Sequence, residues 1–69
     1  MLPEGLKAIR LKLGLSQDAF GRALGFSGDN VRNHVHRLES GARGLNPAVA
    51  RLAEMFSRFG VPKDFLQED

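Results

Sequence analysis

The chain has no cysteine among its 69 residues. Neither a disulfide framework nor a thiolate metal site can therefore stabilise it, and no thiol nucleophile is available. Long apolar runs are also missing: none approaches the roughly 20 residues needed to cross a bilayer. The opening "MLPEGLKAIR" has no apolar segment of the signal-peptide kind, so a cytoplasmic location away from membranes is the expectation. No strand alternation, internal repeat or low-complexity segment occurs. There is no glycine-rich phosphate loop and no clustered carboxylate pair, so neither enzymatic activity nor a cofactor is expected.

What remains is a single domain spanning residues 1–69 whose stability must come from packing. A chain this short buries only about 60% of its unfolded surface, so its core must be small, and dimerisation would help it. The net charge is only +2, yet its distribution is lopsided. From Arg32 to Lys63 there are six basic residues (Arg32, Arg37, Arg43, Arg51, Arg58, Lys63) and two acidic ones, whereas the last six residues carry Asp64, Glu68 and Asp69. A basic middle suits a polyanionic partner; a solvated helix face with spare arginines is the competing explanation.

Apolar residues recur at helical spacing throughout. Leu6, Ile9 and Leu13 form one stripe, predicting a helix over Pro3–Leu13 with Gly14 as its stop. Ser16 can accept from backbone N–H groups of a second helix over Gln17–Leu24, whose Ala19, Phe20, Ala23 and Leu24 share a face and which Gly25 ends. Val31, Val35 and Leu38 mark a third helix, with Ser27 or Asp29 as its cap and Gly41 as its terminator. "ARGLNP" reads as a loop. Asn46 as cap and Pro47 at the first helical position open a fourth helix carrying Val49, Leu52, Ala53, Phe56 and Phe59 and ending near Gly60. Pro62 can start a short fifth helix, "PKDFLQ". The expected fold is all-α, five short helices.

The second and third helices are joined by a glycine-containing turn, and the third, within "GFSGDNVRNHVHRLESG", is polar and basic outside its apolar ladder. That is the layout of a helix-turn-helix whose second member enters the DNA major groove. Gly21 lacks a side chain where the two helices would pass closest. "IRLKLGLSQDAFGRALGFS" followed by "VHRLESG" resembles the Cro/C1-type (lambda-repressor-like, XRE) helix-turn-helix family, with a likeness running from Leu6 to Leu66. The resemblance implies that Gln17 bonds a phosphate and buttresses the recognition helix. It further implies that Arg43 grips the DNA backbone and that Arg10 and Glu39 form a partly buried ion pair.

One departure concerns register. Gly41 lies fourteen positions after Ser27, four more than the family pattern usually has and close to one helical turn. Either the third helix gains a turn and begins near Asp29, or the connection becomes a longer loop. Counting back from Glu39 places Arg32, Asn33, His36 and Arg37 at base-reading or phosphate positions, with Asp29 and Asn30 as additions. Arg can bond guanine O6 and N7 together, and Asn can do the same to adenine N6 and N7. The expected base readers are Arg32, Asn33, His36, Arg37 and Asn30; the expected phosphate contacts are Gln17, Ser27 and Arg43. Asp29 could instead cap the helix.

Several residues have plainer readings. His34 and His36, about 200° apart on a helix, cannot share an ion unaided, so no metal site is expected. Phe20, Phe26, Phe56, Phe59 and Phe65 read as core, with Phe59 or Phe65 alternatively on a dimer surface. Arg22, Arg51 and Arg58 are phosphate contacts or solvated surface. The function the resemblance implies is sequence-specific double-stranded-DNA binding by a homodimer on an inverted repeat. Small size suggests a phage or mobile-element autorepressor, including the kind encoded beside anti-CRISPR genes. The alternatives are an antitoxin-type module that binds a toxin protein and represses its operon, and a non-specific nucleic-acid binder.

Overall fold

The computed structural model describes residues 1–66, and all regular structure among them is helical. Helices α1 (Pro3–Leu13), α2 (Gln17–Ala23), α3 (Val31–Ser40) and α4 (Pro47–Phe59) are followed by a 3-10 turn, Lys63–Leu66. The caps explain these bounds. Ser16 Oγ accepts from the Ala19 amide at 3.1 Å to open α2, and Asn46 Oδ1 accepts from the Ala48 amide at 2.7 Å to open α4 behind Pro47. Helix α2 closes one residue earlier than its apolar pattern suggests, with Leu24 as its C-cap. The last segment is a 3-10 turn, not a fifth α-helix, and Gln67, the last residue of the anticipated "PKDFLQ" helix, lies outside the described residues.

The segment between α2 and α3 shows which of the two expected connections the chain makes. Four extra residues lengthen the loop and add no helical turn: α3 begins at Val31. Its N-cap is Asn30, with no side-chain cap bond, so neither Ser27 nor Asp29 caps the helix. The physical reason lies in the residues themselves. Ser27 to Asn30 offer nothing apolar to bury, so the helix starts where the ladder Val31, Val35, Leu38 first faces the core. Gly28, at φ +99°, turns the chain in a conformation that L side chains rarely adopt.

Helix α3 packs against both α1 and α2, α4 packs against α1, and the 3-10 turn lies on α2. Leu6, Phe20, Val35 and Ala53 are fully buried at the centre, joined by Val31, Leu38, Phe56, Ala23 and Leu24. Two of the five phenylalanines thus belong to the core. Phe26 is half-buried, Phe65 is exposed with its ring edge on Phe56, and Phe59 is 81% exposed. Helix α4 turns Ala53 and Phe56 inward, and Phe59 lies beyond the width of that face. Among the described residues no helix is long and apolar enough to cross a membrane.

Candidate nucleic-acid interface

Helix α3 divides sharply around its circumference. Val31, Val35 and Leu38 are buried, while Arg32, Asn33, His36, Arg37 and Ser40 are exposed on the opposite side. At 100° per residue the two sets fall on opposed arcs. Its acid, Glu39, sits at the edge of the buried arc and is neutralised there. Arg10 Nε meets Glu39 Oε2 at 2.7 Å and Arg10 Nη2 meets Oε1 at 3.2 Å, while Gln17 Nε2 donates to Oε1 at 3.1 Å. Arg10 Nη1 also donates to the Leu15 carbonyl at 3.1 Å, tying the α1–α2 corner to α3. The outer arc of α3 therefore carries two arginines and no acid.

A concavity of about 440 Å³ opens beside this arc, lined by Gln17, Asp29, Asn30, Arg32, Asn33 and His36. Four of the five expected base readers (Asn30, Arg32, Asn33, His36) and one expected phosphate contact, Gln17, are thus brought together. Ser27, Arg37 and Arg43 lie outside it. Arg43 lines a second concavity, of about 390 Å³, with Phe26, His34 and the Asn46 end of α4. Its backbone amide donates to the Arg37 carbonyl at 3.3 Å, which folds the α3–α4 loop back over the end of α3. Arg51 and Arg58 are exposed on α4. Arg22 is held, its Nε on Asp18 Oδ2 at 3.0 Å and its Nη2 on the Gly28 carbonyl at 3.3 Å.

The α2–α3 loop is also pinned by a contact that no sequence pattern signals. The Phe26 ring stacks on the His34 imidazole, centroids 4.2 Å apart and planes 28° from parallel. The two residues belong to different periodicities, one in a loop and one at the flank of a helix, so only the folded chain pairs them. Burial first, then the positive charges of Arg43 and Arg37, hold the His34 imidazole below its ordinary value of 6.5. The folded protein thus takes up this proton less readily than the unfolded chain. The contribution is complete above about pH 6.5 and is lost as pH falls through the lowered folded value. Urea midpoints measured from pH 7.5 to 5 should fall less steeply for His34→Gln than for the parent. Equal slopes would mean that burial and the nearby arginines do not disfavour the imidazolium at His34.

Among the described residues no group of three or more His, Cys, Asp or Glu side chains could hold a metal ion. No family model matches this chain, and no curated protein or solved structure matches it significantly.

Proposed function

We propose that this chain is a Cro/C1-type helix-turn-helix domain that binds double-stranded DNA sequence-specifically and regulates transcription, with α3 as its recognition helix. The observation that carries the reading is the outer arc of α3, where Arg32, Asn33, His36 and Arg37 stand exposed, with no ion pair among the described residues, while Glu39 is sequestered by Arg10 and Gln17. A helix of this charge and hydrogen-bonding capacity suits the major groove, where arginine and asparagine discriminate base pairs by bidentate bonds. Nothing in the reading calls for catalysis, and it is consistent with a cytoplasmic autorepressor of a phage or mobile-element operon.

A homodimer is part of this proposal. One small module offers limited contact with DNA, and two-fold pairing places two recognition helices about 34 Å apart on an inverted repeat. Met55, Phe59 and Phe65 form an exposed apolar surface around a groove of about 350 Å³ between α4 and the 3-10 turn, which suits such an interface. The same surface favours a second reading, an antitoxin-type module whose partner is another protein.

Selection of bound sequences from a random duplex library at about 0.15 M salt, the physiological condition, separates these readings. An inverted repeat with half-sites about one helical turn apart is expected. A single half-site would assign the apolar surface to another protein, and no enrichment by the folded protein would remove sequence-specific binding altogether. Substitutions then distinguish roles. Arg32→Ala or Asn33→Ala should cost about 1–3 kcal/mol at particular base pairs, whereas Arg43→Ala should weaken all sequences alike and shallow the salt slope by about one. A uniform loss from Arg32→Ala would move the base-reading register elsewhere on α3.

A further inference from the structure

Asp29 is out of place electrostatically. It belongs to the concavity that also holds Gln17, Asn30, Arg32, Asn33 and His36, where a polyanion would approach. The acids on α2 and α3 are engaged: Asp18 with Arg22, Glu39 with Arg10 and Gln17. Among the described residues, no hydrogen bond or ion pair engages the Asp29 side chain, which is exposed and caps no helix. Nor is it carried on a loose tether. The preceding carbonyl, that of Gly28, accepts from Arg22 Nη2 at 3.3 Å, the Phe26 amide donates to the Gly21 carbonyl at 3.0 Å, and the Phe26 ring lies on His34. Asn30, the next residue, is the N-cap of α3. The carboxylate is therefore presented from a fixed backbone at the leading end of the exposed arc.

We propose that Asp29 is a specificity-determining residue that accepts a hydrogen bond from a cytosine N4 amino group in the major groove; this rests on the DNA-binding reading above. An ionised carboxylate only accepts hydrogen bonds, so it is repelled by guanine O6 and N7 and by thymine O4. Adenine offers its N6 donor beside the N7 acceptor, a pair a carboxylate cannot match, whereas cytosine presents the N4 donor with no acceptor on its own major-groove edge. Phosphate oxygens repel it as well, so the side chain avoids the backbone and favours the middle of the groove. The longer α2–α3 loop thereby extends the read sequence by one position per half-site. It does so by rejecting three bases as much as by attracting the fourth.

Parallel selections from the random duplex library with the full chain, Asp29→Ala and Asp29→Asn test this. Affinities for the best site and its single-base variants complete the measurement. In the parent, one position in each half-site should be cytosine, preferred by on the order of tenfold. Asp29→Ala should lose that preference alone and keep every other position, while Asp29→Asn should shift it toward adenine, which asparagine bonds through N6 and N7. Because no hydrogen bond or ion pair engages the side chain among the described residues, both variants should stay folded and lose at most several degrees of melting temperature, the worth of an acid near a helix N-terminus, checked by circular dichroism. Unchanged base preferences in Asp29→Ala, with affinity raised equally for all duplexes, would reduce Asp29 to a repulsive charge and overturn the proposal. A parent that enriches no sequence would instead overturn the DNA-binding reading itself, and this proposal with it.

Discussion

Gly21→Val is expected to leave the chain largely unfolded at 25 °C. Gly21 is buried in α2 where that helix crosses α3, and a Cβ at this position would lie 2.7 Å from Val35 Cγ2 and closer still to Val31 Cγ1. Both neighbours are fully or almost fully buried and β-branched, so neither can rotate aside without leaving the core. Overpacking a dense core costs about 1–3 kcal/mol for added methylenes, and valine adds two methyl groups beyond the Cβ. A single core in a domain this small supplies only about 3–5 kcal/mol in total. Gly21→Ala should fall between, its clash partly offset by a helix-propensity gain of about 1 kcal/mol. Gly44→Ala is the control, because open space surrounds Gly44 and its backbone needs no positive φ. Far-UV circular dichroism and urea titration of the three variants measure the series. A Gly21→Val protein that melts with the parent would mean that α2 and α3 do not approach this closely.

Glu39→Ala is expected to destabilise the fold by about 3 kcal/mol, the low end of the cost of breaking a buried pair by removing one partner, because this pair is partly buried. Its side chain is 5% exposed and that of Arg10 12%, so water cannot readily replace what is lost. After the substitution the Arg10 guanidinium keeps, among the described residues, only the Leu15 carbonyl, and Gln17 loses the acceptor for its amide. For a domain of this length the loss corresponds to a fall in Tm of roughly 12–24 °C. Replacing both charges with apolar side chains, Arg10→Met with Glu39→Leu, should recover most of it, because a hydrophobic pair of similar volume is often as stable as the ion pair it replaces. A melting temperature unchanged by Glu39→Ala would show that the corner formed by Arg10, Gln17 and Glu39 contributes nothing to holding α3. A double variant no better than Glu39→Ala would instead assign the loss to packing.

The two substitutions probe opposite kinds of legibility. Gly21 lies in a stretch whose apolar spacing already puts two helices in contact, and a missing side chain at the crossing is readable without coordinates. Arg10 and Glu39 are 29 positions apart, and nothing in their spacing pairs them. Their partnership entered through resemblance to a family, and the distances come from the fold. The concavity beside α3 was legible in its membership but not in its limits. Helical periodicity places Arg32, Asn33 and His36 away from the apolar ladder, but it cannot say that Arg37 and Arg43 fall outside the hollow while Gln17 falls within it.

The sequence alone determined the elements. Helical stripes, the Ser16 and Asn46 caps, Pro47 and the terminating glycines act within one turn of the chain, so α1 and α4 begin and end where local chemistry says they should. What depends on distant partners was set by the folding of the helices against one another. It made the four extra residues a loop and left Asp29 without a capping role, because α3 begins where its apolar ladder meets the core and the loop is held by Arg22 and by the Phe26–His34 stack. It also sent Phe20 and Phe56 inward and left Phe59 in solvent. All three are apolar and sit at plausible helical positions; their difference is the geometry of the neighbouring helices, which a one-dimensional pattern does not contain.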